Sequence, residues 1–248
     1  TDINITLDKN IDLTGKDWTP IGTDYDNSYT GTFDGGGHTI TGLTVTTNDK
    51  YAGLFGYLGN FNNAAATVKN VVMDGIQITC NHRSGYAGGV AGYSWGTIEN
   101  CSVSGSISGT IYVGGVVGAQ RDGSITGCSS SATVKGMVQV GGVAGQTIFG
   151  ATLTACYATG NVIIEIDRTQ NISGGGLVGF NDGISLLSCY ATGNVTSTGS
   201  STGYVHIGGF LGDNYITVTA CYWKNNHEQG IGYNKEGIAP EATKVDGT

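Results

Sequence analysis

Apolar and polar residues alternate along most of this chain, as in Leu153-Thr-Ala-Cys156-Tyr-Ala158-Thr, and the alternation returns at intervals. A period of two is the signature of a strand with one buried face. No segment sustains a 3.6-residue apolar period, and the glycine density would cost a helix about 1 kcal/mol per glycine. Glycine clusters punctuate the alternation: Gly53-Leu54-Phe55-Gly56, then GGVAG from Gly88, GGVVG from Gly114, GGVAG from Gly141, GGLVG from Gly175 and GGFLG from Gly208. With Gly53, Gly89, Gly115, Gly142, Gly176 and Gly209 taken as equivalent, the spacings are 36, 26, 27, 34 and 33 residues. A second anchor, cysteine, follows each later cluster at Cys101, Cys128, Cys156, Cys189 and Cys221, with Val71 in the same column of the first repeat. Three residues before that column stand Val68, Ile98, Ile125, Leu153, Leu186 and Val218, all apolar.

Repeats of this length, built from short strands and glycine turns, fit a parallel β-solenoid with one coil per repeat. A propeller blade needs about 40–45 residues, so these repeats are too short for one. The expected fold is all-β: a right-handed parallel β-helix of roughly 26–36-residue coils, its hand following the usual crossover rule. It would form a single domain over 1–248, with an N-terminal coil or cap region (1–50), six repeats (51–224) and a C-terminal tail or cap (225–248). The paired glycines mark places where a strand bends or meets a neighbouring backbone closely. Leu54, Val90, Val116, Val143, Leu177 and Phe210 are expected inside. Asn161, Asn194 and Asn226, each five residues beyond the cysteine column, are expected to form a ladder at a turn.

Composition narrows the function classes. There are 44 glycines and 2 prolines in 248 residues, and charged residues make up 12%. The glycines lack a three-residue period, which excludes collagen. The 39% apolar content argues against charge-driven disorder. With 11 basic and 19 acidic residues, net −8, nothing favours a phosphate backbone, so no nucleic-acid partner is expected. No apolar run approaches the length of a spanning helix, so no membrane insertion is expected. The start at Thr1, without methionine or apolar leader, reads as a mature or trimmed chain.

Candidate chemistry is sparse. Five of the six cysteines share one column where valine also stands, which points to buried free thiols rather than disulfides. Cys80 and His82 lie off the column and are expected in a solvated loop. No His-Glu-x-x-His occurs, and no cluster has metal-ligand spacing, so neither cofactor nor metal is expected. A glycosidase needs two carboxylates across a bond; Glu165 and Asp167, with Glu99 or Asp122, read as solvated charges, and no catalytic residue is assigned.

The outward positions are more telling. The residue after each cysteine should face solvent, which makes Tyr157, Tyr190 and Tyr222 a stripe with about 4.8 Å between rungs. Extra length in three repeats falls at about Thr79–Ser84, Ile163–Asn171 and Thr196–Tyr204. Insertions in solenoids tend to emerge on one face and to carry binding. The last two should lie side by side, bringing together Glu165, Asp167, Arg168 and Tyr204. With the three stripe tyrosines, these are the candidate ligand-binding residues.

G-G-[LVF]-x-G followed by Cys-Tyr-Ala-Thr-Gly-Asn-Val, at Cys156–Val162 and Cys189–Val195, resembles the GLUG repeat of bacterial surface proteins. The repeat occurs in adhesins and in the non-catalytic parts of immunoglobulin A-cleaving metallopeptidases. The stretch from Ile11 to Gly22, with Gly31-Thr-Phe-Asp-Gly35-Gly-Gly-His38, is similar to the region that precedes such arrays. Cys221-Tyr-Trp223 followed by Gly230-Ile-Gly232 is similar to their usual terminus. The first repeat departs from the pattern, lacking one glycine and the cysteine. The resemblance implies a β-helix and an extracellular location at a bacterial cell surface, as part of a longer surface chain or assembly. It implies no reaction. The expected role is a non-catalytic adhesion or binding module that meets a host or environmental surface ligand, protein or glycan. A structural spacer is the alternative, and a carbohydrate-active β-helix enzyme the third reading.

Overall fold

A computed structural model of the 248-residue chain describes residues 2–62, 65–166, 169–238 and 240–245. Among them every regular element is a strand, from Ile5–Thr6 to Pro240–Lys244. The chain winds into a parallel β-solenoid of about seven turns. One turn reads Thr97–Glu99, Ser102–Ser108, Tyr112–Gly114 and Val117–Gln120. The first two of these strands belong to a long sheet, the third to a six-stranded sheet and the fourth to a seven-stranded sheet. Parallel pairing in register stacks like on like: Val68, Ile98, Ile125, Leu153, Leu186 and Val218 form one ladder. All six are fully or almost fully buried, as are the six residues expected inside after the glycines. Each such side chain contributes roughly 1.5–3 kcal/mol of burial, and the turns add through nearest-neighbour contacts.

The cysteine column is buried and all six thiols are free. Backbone N–H groups of Cys101, Cys156 and Cys189 donate to the sulfur of the next cysteine at 3.4 Å. Cys156 Sγ donates to Thr154 O at 3.3 Å, and Cys189 Sγ to Leu187 O at 3.3 Å. Valine at position 71 is equally buried, which shows that the column needs volume rather than sulfur. Cys80 departs from expectation. It ends the strand Val72–Cys80, is buried, and donates to Asp49 O at 3.4 Å. The alternation extends two rungs further than the repeat anchors suggested, and this carries Cys80 inward.

The residue just before the cysteine column turns the corner between two strands in the left-handed region. Its φ is 55° at Asn70, 52° at Asn100, 62° at Gly127, 54° at Ala155, 55° at Ser188 and 50° at Ala220. The glycine pairs serve a different need. A Cβ on Gly115 would lie 2.1 Å from Gly142 O, and one on Gly142 would lie 2.2 Å from Gly176 O. Neighbouring turns therefore touch backbone to backbone at this arch. The first turn is one residue shorter there: Tyr51 pairs with Tyr86 and Phe55 with Ala91, so Gly53 stacks on Gly88 rather than on Gly89.

Asn161 Oδ1 accepts from Asn194 N at 3.1 Å, and Asn226 Oδ1 from Val195 N at 3.0 Å. The expected asparagine ladder thus links side chain to backbone from turn to turn. A second polar ladder is buried: Thr147 Oγ1 donates to Asn181 Oδ1 (2.6 Å), Asn181 Nδ2 to Asn214 Oδ1 (2.8 Å), and Asn214 Nδ2 to Asn234 Oδ1 (2.7 Å). Every member finds a partner, which is what a dry position demands of an amide.

Candidate ligand-binding site

Because Cys156 and Cys189 point inward, the pleat sends Tyr157 and Tyr190 outward. Parallel pairing sets Tyr157 on Tyr190 and Tyr190 on Tyr222. The first two rings stack with centroids 4.8 Å apart and planes 3° apart. All three are exposed. Burial holds the Tyr190 phenol above its ordinary range, and the Tyr157 phenol adds to that. The column continues as Ser129, Ser102 and Val72 in the preceding turns. Where the rings stop, a trough of about 400 Å³ opens, lined by Tyr157, Ser129, Ser102, Ser131, Ser104 and Asp74 among others. Ser104 Oγ donates to Asp74 Oδ1 at 2.7 Å across its floor. One face of Tyr157 is covered by Tyr190; the other borders the trough. The interruption of the aromatic column is visible in the sequence as Val72, Ser102, Ser129, but its meaning needs the register.

The inserts do not leave the sheet at once. Ile163 to Ile166 pair with Thr196 to Gly199, so the extra residues lengthen two neighbouring strands. Glu165 lies on this extension, and its carboxylate meets Lys135 Nζ of the preceding turn at 2.8 Å. Asp167 and Arg168 lie outside the described residues. Tyr204 takes a different neighbour: its ring stacks on His206 (4.5 Å), which stacks in turn on Tyr233 (5.0 Å). Glu165 and Tyr204 therefore belong to different local clusters.

His206 is part of a group that the sequence did not suggest. Asp213 is fully buried, one oxygen accepting from Ser173 Oγ and the other 2.5 Å from His206 Nδ1. A buried carboxylate requires such partners. Serine, histidine and aspartate meet here, but the serine hydroxyl is turned onto the carboxylate, whereas a nucleophile must be hydrogen-bonded to its base. The arrangement is a brace between the six- and seven-stranded sheets. Earlier turns fill the same space with Tyr51, Tyr57, Tyr86, Tyr93 and Tyr112. Tyr86 and Tyr112 stack at 4.3 Å, Tyr57 and Tyr93 at 4.9 Å. Burial pushes the Tyr57 phenol up to about 12 and raises Tyr86 further. The available signal was a tyrosine two residues before the glycine in three successive repeats. Among the described residues no three metal-ligating side chains converge.

Comparison with known proteins agrees with this architecture. The family described as "The GLUG motif" matches residues 84–108, 109–135 and 170–196. Halomucin of Haloquadratum walsbyi is 38% identical over 123 residues, 46% of this chain and 1% of its own length. A protein of Evansella cellulosilytica, provisionally named a Gly-rich membrane protein, is 35% identical over 101 residues, 40% of this chain and 11% of its own length. This chain thus spans a small part of either relative. A crystal structure from Bacteroides ovatus, provisionally titled an immunoglobulin A1 protease, superposes with a TM-score of 0.76 at 21% identity. The match covers 99% of this chain and 78% of that one, and at this identity it speaks for the fold alone. The strand order, the register and the three matched motifs lead to one conclusion: the chain is a parallel β-solenoid that carries the GLUG repeat.

Proposed function

We propose that this chain is a non-catalytic, surface-associated binding module of a longer protein, and that it adheres to a ligand through the end of its tyrosine ladder. The names of the relatives, a mucin and a membrane protein, support a surface setting. The observation that carries the reading is the broken aromatic column. Tyr157 offers a ring face to a trough where Ser129 and Ser102 leave two rungs unfilled. A pyranose ring stacked on Tyr157 would continue the 4.8 Å ladder, its C–H face on the aromatic ring and its hydroxyls among those of the serines. The solenoid holds these groups in place before contact, so little ordering opposes binding.

The test is a glycan and extracellular-matrix array with the intact protein, repeated with Tyr157→Ala and Ser129→Tyr. The first removes the stacking face and the second fills the missing rung. Both should abolish a hit while melting stays within about 2 °C, as expected for changes at an exposed site. A hit that survives both variants would refute the site. A folded protein that binds nothing on the array would refute the binding role.

A further inference from the structure

We infer that a second, separate cleft on this chain binds a carboxylated sugar, of uronic or sialic type, through Arg83. The cleft arises from repeat length. The two shortest turns, those separated by 26 and 27 residues, sit between longer ones separated by 36 and 34. Their short loops, Gly109–Ile111 and Gly136–Val138, therefore lie low between two taller walls. One wall is the segment after Cys80; the other side is bounded by Glu165 and Gln170. Three turn-to-turn steps separate the walls, about 14 Å at strand spacing. Two cavities of about 320 Å³ each occupy the low ground and share Thr110 and Met137. One reaches from Asn81 to Lys135 and Glu165, the other from Arg83 across Ile111 and Val138 to Gln170.

Both walls are braced from within the fold. Thr110 Oγ1 donates to His82 O at 2.5 Å and accepts from Gly85 N at 3.1 Å. On the far side Ser201 Oγ donates to Gln170 O at 2.5 Å, and Asn171 Oδ1 accepts from Tyr204 N. The cleft is thus shaped before any ligand arrives. Its floor offers no strand edge to an extended peptide, because the backbone there is already used: Gly109 N donates to Lys135 O, Met137 N to Thr110 O and Gln139 N to Ile111 O. Recognition must come from side chains. Ile111, Met137 and Val138 give an aliphatic base suited to the C–H face of a sugar ring, and Asn81 and Gln170 put amides on the rims for its hydroxyls.

Charge selects the acid. Lys135 is balanced by Glu165 at 2.8 Å. Arg83 is exposed at the cleft and forms no salt bridge among the described residues. Arg121, the other described arginine without a salt bridge, lies over the Trp95 and Phe149 rings, whereas the Arg83 guanidinium borders the cleft. Its planar fork matches a carboxylate with two parallel hydrogen bonds. The cleft stands several residues along the turn from the Tyr157 trough, so the two sites can be tested apart.

The experiment titrates the intact protein and its Arg83→Ala, Arg83→Lys and Tyr157→Ala variants with tetragalacturonate, sialyllactose, their uncharged counterparts and a glutamate-rich peptide. Tetragalacturonate, sialyllactose or both should bind better than the uncharged partner. Arg83→Ala should weaken this binding about tenfold or more, in line with the loss of a charged hydrogen-bond pair. Arg83→Lys should recover part of it, and Tyr157→Ala should leave it unchanged. Equal affinity for charged and uncharged sugars overturns the inference, as does indifference to Arg83→Ala or preference for the peptide. Failure of acid binding alone leaves the tyrosine-ladder reading standing, whereas loss of neutral-sugar binding with Tyr157→Ala tests that reading separately.

Discussion

Ala155 occupies the corner before the cysteine column with φ at +54° and an exposed side chain. For an L-residue with a Cβ, the left-handed region costs about 1–2 kcal/mol, which glycine escapes. Replacing Ala155 with glycine also loosens the unfolded chain, costing about 0.4–1 kcal/mol. The exposed methyl contributes little burial, so the net effect of Ala155→Gly is a gain of about 0.8 kcal/mol at the middle of these ranges. With about 2.1 cal/mol/K of unfolding entropy per residue, the whole chain carries about 0.5 kcal/mol/K, so the melting temperature should rise by about 1.5 °C. The same change at Ser188 and Ala220, whose φ values are 55° and 50° and whose side chains are likewise exposed, should raise a triple variant further, with about 5 °C as the ceiling because corners in adjacent turns are close enough to couple. Gly127 supplies the reverse experiment, because a Cβ there would lie 2.5 Å from Asn100 Oδ1 as well as meeting the φ penalty. Calorimetry of the triple glycine variant beside Gly127→Ala decides the matter. A triple variant that melts below the parent, or a Gly127→Ala variant that melts with it, would refute the account of the corner.

Two further outcomes are expected. Replacing His206 with alanine leaves the buried Asp213 side chain with Ser173 alone, and urea unfolding should register a loss of about 3 kcal/mol; a loss below about 0.5 kcal/mol would refute the role of this contact as a brace. Tyr57 and Tyr86 hold their phenols neutral by burial, with the Tyr57 value at about 12. Their folded values exceed the unfolded one, so this contribution is complete below about pH 10 and is lost as pH rises from there toward 12. Tyrosinate absorbance from the buried Tyr57 and Tyr86 should appear only together with the loss of β-sheet circular dichroism. A single smooth titration near pH 10 with the fold intact would contradict the burial.

The fold was legible because the repeat imposes it at every level. Strand period, glycine pairs and cysteine spacing agree, and parallel register then stacks each column on itself. The outward tyrosines followed from parity alone. What escaped the sequence depends on contacts between columns. The tyrosine core around Tyr57 and Tyr93 forms because residues of two different sheets meet beyond the glycine arch, and no single-strand pattern encodes that meeting. The left-handed corner is occupied by asparagine, glycine, alanine and serine, so composition gives only half a hint. Cys80 was misplaced because its strand outruns the repeat anchors. Glu165 and Tyr204, adjacent in the sequence logic of the two inserts, part company once the chain bends toward the six-stranded sheet.

The alternation of tall and low turns has a genetic consequence. In register stacking, a whole turn can be duplicated or deleted without disturbing the ladders on either side, since each turn meets only its neighbours. Unequal recombination between such similar repeats would then widen or narrow the ground between the tall loops in steps of one strand spacing, about 4.8 Å. The turns separated by 26 and 27 residues, with walls on both sides, are the present setting of that ruler. Descendants of the same gene could accommodate longer or shorter ligands by gaining or losing repeats, with no new side chain needed in the core.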